Sequence, residues 1–169
     1  MLVGETERLI IREAQEEDIE EVIGLESHED NRPYLFLDDY EGHRHYIEDD
    51  NFILMVMEKK EDGRIIGYSL VELDRPSQVF NLRRIAISEK SRGYGKEAML
   101  AIFRHCFEDL AYNRLWLDVY PFHQVGVNLY EGLGMHLDGV LRENYRDERG
   151  YLDQMVYSLL RDEYFEIYK

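Results

Sequence analysis

The stretch Ile85-Ala86-Ile87-Ser88-Glu89-Lys90-Ser91-Arg92-Gly93-Tyr94-Gly95-Lys96-Glu97-Ala98 decides the fold. Ile85–Ile87 reads as the end of a strand, and two glycines then interrupt it. Beyond them the apolar positions Met99, Ile102, Phe103, Cys106 and Leu110 recur with a helical period. A strand that enters a long helix through such a loop leaves the first helical N–H groups unpaired. They point outward, where the helix dipole helps them hold a phosphate. The glycines allow the backbone to approach that ligand closely. The spacing matches neither a Walker A loop nor a GxGxxG fingerprint. Charge agrees: residues 83–96 carry Arg83, Arg84, Lys90, Arg92 and Lys96 against Glu89 alone, a net of +4 inside a chain of net −16. Such an island would offset the repulsion of an anionic cofactor.

Outward from this stretch the elements fall into order. Phe52–Glu58 and Ile65–Leu73 are apolar runs joined through Asp62-Gly63, a hairpin signal, and Val79–Ile87 follows the Pro76-Ser77 turn. These three predict an antiparallel meander. Downstream, Leu115–Tyr120 reads as a strand stopped by Pro121. A second helix with Leu129, Tyr130 and Leu133 inward ends at Gly134. Two last strands, about 136–145 and 151–160, flank the turn Asp147–Gly150. At the other end, Leu9–Ile11 suits a first strand, and residues 16–27 carry Ile19, Val22 and Ile23 at helical spacing. Residues 28–50 show no clear period and read as loop with a short helix. The order βααβββαβαββ describes an α/β (α+β) fold. Its sheet is mixed and mostly antiparallel, of about seven strands flanked by helices, with one parallel crossover.

Composition narrows the function. A length of 169 residues fits one domain spanning 1–169. With 36 acidic against 20 basic side chains, nucleic-acid and membrane-surface partners are not expected. Cys106 is the only cysteine, which excludes an internal disulfide framework and a multi-cysteine zinc site; it reads as a core thiol, and no metal is expected. The longest apolar run, Phe52 to Met57, is far short of the roughly 20 residues that span a bilayer. The opening MLVGETERL lacks the basic and apolar regions of a signal peptide, so a cytoplasmic protein is expected.

Lys90-Ser91-Arg92-Gly93-Tyr94-Gly95-Lys96-Glu97-Ala98 resembles the pyrophosphate-binding motif of the GCN5-related N-acetyltransferases (GNAT), Gln/Arg-x-x-Gly-x-Gly/Ala, with Lys90 at the Gln/Arg position. Three further segments carry the likeness. Thr6-Glu7-Arg8-Leu9-Ile10-Ile11-Arg12 is similar to the opening strand of the branch that includes ribosomal-protein alanine and spermidine acetyltransferases. Leu129-Tyr130-Glu131-Gly132-Leu133-Gly134-Met135 is similar to its LYExxGF, with Met135 in place of Phe. Asp153-Gln154-Met155-Val156-Tyr157-Ser158-Leu159-Leu160 resembles its last strand.

The resemblance implies an acetyl-CoA-dependent N-acetyltransferase acting on a primary amine by direct attack. Main-chain groups of Ile85, Ala86 and Ile87 would bind the pantetheine arm like an added strand. The N–H groups of Arg92, Gly93, Tyr94, Gly95, Lys96 and Glu97 would hold the pyrophosphate, and an N–H near Ile87 would stabilise the developing oxyanion. Tyr130 matches the general acid that protonates the departing thiolate. Where the family often has Asn seven residues before this Tyr and Ala four before it, this chain has His123 and Gly126. His123 would replace the Asn hydrogen bond to the coenzyme or act as a base; Asn128 is a second nearby amide. For the base that deprotonates the ammonium, Glu72 stands in a strand region where relatives often place Glu, whereas Asn81 cannot serve.

For the acceptor, residues 13–30 hold nine acids and no Lys or Arg, and residues 38–50 add six against Arg44. In the family these segments border the acceptor site, so they are expected to gather a cationic amine, with Tyr34, Phe36 and His43 lining its pocket. A polyamine, a protein N-terminus and a small amine are the acceptor classes, and dimers are common among relatives, so a homodimer is one expectation. The other reading is a coenzyme-A-binding sensor or assembly module of the same fold without significant turnover, and the departures at His123 and Asn81 keep it open.

Overall fold

The meander read from the sequence forms the middle of the sheet. The computed structural model describes residues 1–169. In chain order the elements are β1 (Leu2–Glu5), β2 (Leu9–Glu13), α1 (Ile19–Ser27), α2 (Tyr40–Glu48), β3 (Phe52–Lys59), β4 (Ile65–Asp74) and β5 (Val79–Ile87). Then come α3 (Tyr94–Arg104), β6 (Arg114–Val119), α4 (Gln124–Gly132), β7 (His136–Asp147), β8 (Gly150–Leu160) and α5 (Arg161–Tyr168). The sheet has eight strands in the order β1-β2-β3-β4-β5-β6-β8-β7. Only the pair β5–β6 is parallel. Two elements go beyond the expected order. One is β1, which adds an edge strand and raises the count from about seven to eight, and the other is the terminal helix α5. No helix is long and apolar enough to cross a membrane.

Both faces of the central strands are covered, which explains their continuous apolar runs. On β3, Met55 and Met57 join the larger core with Met99, Ile102 and Phe103 of α3. Leu54 and Val56 face the other way, onto Val22 and Leu25 of α1. Each such side chain contributes about 1.5–3 kcal/mol on burial. Cys106 is fully buried, and burial pushes its thiol pKa far up, so it is a core thiol as expected.

Two irregularities position the site. The register between β4 and β5 shifts between Leu70↔Arg84 and Val71↔Leu82, leaving Arg83 as the extra residue of a β-bulge. Leu82 and Ile87 therefore pack in the larger core, while Ala86 packs in the smaller one. The second irregularity is a splay. β5 pairs with β6 only over Val79–Asn81 against Arg114–Trp116. Beyond Asn81 the two strands separate, and that edge of β5 has no neighbour.

Candidate active site

The gap between β5 and β6 opens onto two clefts. The first, about 260 Å³, runs along Ile85, Ala86 and Ile87 to the loop at the start of α3 and is lined there by Lys90, Ser91, Gly93, Tyr94, Gly95 and Lys96. Gly93 caps α3 at φ 80°, a left-handed conformation that a side chain would strain. Glu97 N–H donates to the Gly93 carbonyl at 3.1 Å, which leaves the N–H groups of Tyr94, Gly95 and Lys96 at the open end of the helix. Along β5, Ser88 N–H donates to Ile66 O at 2.7 Å. Successive N–H groups of a strand alternate sides, so those of Ile85 and Ile87 point away from β4 into the gap.

The loop is braced from the N-terminal segment. Thr6 Oγ1 and Arg8 N–H both donate to Glu97 Oε1, at 2.5 and 2.9 Å. The Arg8 guanidinium pairs with Glu97 Oε2 at 2.7 Å, donates to the Arg92 carbonyl at 3.0 Å and lies 4.1 Å from the centre of the Tyr94 ring. The segment Thr6–Leu9, noted in the sequence only as a strand opening, thus fixes the first turn of α3.

The second cleft, about 490 Å³, lies on the β4, β5, β6 and β8 side. Tyr34, Leu35, Ile85, His123 and Tyr130 line both clefts, so the two meet at these residues. Tyr130 is 6% exposed, and its hydroxyl makes no hydrogen bond within the protein. Burial raises its phenol to about 12, with the Asp118 charge adding to the shift. The phenol therefore remains protonated at neutral pH, a donor aimed at the junction. His123 stacks on Tyr34 with ring centres 3.8 Å apart. Burial, followed by the Lys90 charge, lowers the imidazole to about 4, so it is neutral at pH 7 and a weak base. Gly126 accommodates it: a Cβ there would lie 2.9 Å from His123 Nδ1. The two departures from the family pattern are therefore one coupled change, a larger ring at 123 resting where residue 126 has no side chain.

Asp118, which the sequence reading passed over, is the distinctive group of the second cleft. Leu115, Leu117 and Val119 of β6 face the core, and the alternation turns Trp116 and Asp118 to the cleft. Asp118 is open to the cleft, yet the walls desolvate its carboxylate and raise its pKa above the usual range, opposed by the Arg83 charge. Asn144 Nδ2 donates to Gln154 Oε1 at 2.7 Å, and Gln154 Nε2 donates to Asp118 Oδ1 at 3.1 Å. The signal in the sequence was a single acid inside the apolar strand Leu115-Trp116-Leu117-Asp118-Val119-Tyr120.

Several expected site residues lie elsewhere. Asn128 is exposed and accepts from Gln124 at 2.7 Å, and it lines neither cleft. His43 is fully buried with Nε2 2.5 Å from Glu26 Oε1, and it lines neither cleft. Arg92 is exposed outside the cleft, and Glu97 spends both its N–H and its carboxylate on holding the loop. Glu72 lines the second cleft but is paired with Arg83 at 3.0 Å. Tyr34 and Phe36 do line that cleft. The acids of residues 13–50 do not: no carboxylate from them reaches it. The basic island also divides, since Arg84 is buried against Glu26 at 3.1 Å and Asp38 at 2.9 Å and does not line the first cleft.

Residues 8–136 match the acetyltransferase (GNAT) domain family. The chain belongs to the GNAT acetyltransferases. It is 29% identical over 121 residues to the SPbeta prophage-derived uncharacterized N-acetyltransferase YokL of Bacillus subtilis (strain 168), covering 70% of this chain and 67% of that one. Its fold is similar to that of the spermidine N-acetyltransferase from Vibrio cholerae in complex with CoA and spermine. The TM-score is 0.84 at 19% identity, with 95% of this chain and 99% of that one covered. A GNAT-family acetyltransferase from Bacillus anthracis aligns with a TM-score of 0.81 at 18% identity, over 96% of this chain and 100% of that one.

Proposed function

We propose that this GNAT acetyltransferase moves the acetyl group of acetyl-CoA to a primary amine at the junction of the two clefts. The observation that carries this reading is the sharing of Ile85, His123 and Tyr130 by an anion-holding groove and an acid-bearing pocket. The first cleft fits the coenzyme: open N–H groups at the start of α3 suit a pyrophosphate, and the unpaired edge at Ile85–Ile87 suits an amide-rich arm. Acetyl-CoA supplies an activated acyl group as a thioester.

The residues of the chain then divide the work. Asp118 takes a proton from the acceptor ammonium, freeing the nitrogen lone pair. An N–H near Ile87 stabilises charge on the carbonyl oxygen as the C–N bond forms and the C–S bond breaks. Tyr130 donates its hydroxyl proton to the leaving sulfur, and the second proton shed by the nitrogen as the amide forms restores the phenol. His123, neutral and stacked on Tyr34, walls the junction and excludes water.

Release of free thiol from acetyl-CoA on addition of a panel of amines tests the reading. Turnover with none of them, alongside retained coenzyme binding, would favour the sensor alternative. The pH profile has a definite sign. Asp118 must be ionised to accept the ammonium's proton, so kcat/KM climbs with pH as the carboxylate, held above its usual range by burial, loses its proton, and the fall due to Tyr130 begins only near 12. Asp118→Asn is expected to lower kcat about 10²-fold. An Asp118→Asn enzyme as fast as wild type rules Asp118 out as the base.

Arg8→Ala tests the brace on the first cleft. It removes the guanidinium contacts to Glu97, Arg92 and Tyr94, keeps the main-chain N–H bond to Glu97, and does not touch the junction. The expected result is a KM for acetyl-CoA raised about tenfold with kcat nearly unchanged, since misplaced binding groups weaken the complex. An unchanged KM refutes the bracing role.

A further inference from the structure

The second cleft is nearly neutral once its internal pairs are counted. Two carboxylates, Glu72 and Asp118, and two guanidinium groups, Arg83 and Arg84, line it. Glu72 and Arg83 neutralise each other at 3.0 Å. Arg84 is compensated from behind by Glu26 and Asp38. Asp118 is left as the one lining carboxylate without a cationic partner; its only hydrogen bond comes from the neutral amide of Gln154. Asn81 also contributes to the wall, with its Oδ1 fully buried and without a donor. The remaining wall is largely aromatic, with Tyr34, Phe36, Trp116, Tyr120 and Tyr145.

We propose that this pocket selects a primary amine bearing one positive charge on an apolar or aromatic body, and discriminates against polyamines. This rests on the acetyl-transfer reading of the same site. One ammonium has the partners it needs: Asp118 for its charge, and ring faces that attract cations and apolar groups alike. A second or third ammonium would enter an aromatic wall with no carboxylate to meet it. Desolvating a charge without a partner costs several kcal/mol. The acids of α1 and α2 do not change this, because none lines the pocket. At 0.15 M salt their attraction is screened beyond about 8 Å.

The single tryptophan, Trp116, lines this pocket and reports on it directly. Its emission is to be titrated at 0.15 M salt with 2-phenylethylamine, with a neutral short peptide beginning with Phe at a free N-terminus, and with spermidine and spermine. Thiol release from acetyl-CoA is to be measured for the same four. The expected result is a Kd for at least one singly charged amine tenfold or more below that of spermine, with kcat/KM in the same order. The peptide and the free amine distinguish a protein terminus from a small molecule as the source. Asp118→Asn should weaken the preferred amine at least tenfold and spermine little. Equal or tighter binding of spermine or spermidine overturns the proposal, as does the absence of any change in Trp116 emission with either singly charged amine. If 2-phenylethylamine binds through Asp118 but no thiol is released, the selectivity stands and the acetyl-transfer reading falls. If spermine gives the fastest release, the transfer reading stands and the selectivity falls.

Discussion

A Tyr130→Phe enzyme is expected to lose between about 10² and 10⁴ of kcat, the usual range for removing a general acid or base. The ring packs in the larger core, so phenylalanine keeps the fold and removes only the hydroxyl. With a phenol raised to about 12, that hydroxyl is protonated across the working pH range and has no internal partner to distract it. The KM for acetyl-CoA should stay nearly constant, because the pyrophosphate loop and the β5 edge are untouched. A thioester whose thiol is strongly acidic leaves without a proton, so an aryl thioester should recover most of the loss. If kcat stays at the wild-type level, or if the loss is the same for alkyl and aryl thioesters, Tyr130 is not the acid.

The second large effect is on stability. Arg84 is 5% exposed and donates to Glu26, Asp38 and the Tyr46 hydroxyl; Glu26 also accepts from Tyr68 at 2.7 Å and lies against His43. Arg84→Met removes the cation and leaves the Glu26 carboxylate buried among aromatic rings. Breaking one side of a buried pair costs about 3–5 kcal/mol. For a chain of this length that lowers Tm by roughly 6–20 °C. Replacing both buried members, Arg84→Met with Glu26→Gln, should recover a large part of this loss, because the fully buried charge is then gone and only the partly exposed Asp38 is left without its cation. Thermal unfolding of the wild type, the two single variants and the double variant gives the coupling directly. A double variant no more stable than Arg84→Met would show that the charge pair is not the cause.

The strand, glycine loop and helix at residues 85–110 were legible because everything that makes them is local: a change of hydrophobic period and two glycines. The meander was legible through Asp62-Gly63, whose turn geometry is likewise local. α2 was read only as a short helix in loop because its nine residues are mostly polar. Its start is set by the Asp39 side chain, which accepts from Gly42 N–H at 2.8 Å. What escaped the sequence depends on partners far along the chain. His43 looked like a pocket residue until Glu26 and Tyr68 were placed around it. Arg84 looked like part of a phosphate-attracting island until the bulge at Arg83 turned it onto Glu26 and Asp38. Glu72 looked like a free base until Arg83 was found on it. Asp118 gained its significance from the separation of β5 and β6, which alternation along one strand does not reveal.

The bulge at Arg83 also limits how this chain can change in length. Between the antiparallel pairing at Val79–Leu82 and the coenzyme edge at Ile85–Ile87, it shifts the alternation by one step. Deleting a single residue there would undo that step, turning the Ile85 and Ile87 N–H groups toward β4 and the apolar side chains onto opposite layers. Removing or adding two residues would restore the phase. Length variation in this interval is therefore expected to be tolerated in even numbers only, and a one-residue gap in an otherwise plausible relative would signal a protein that has given up the coenzyme arm.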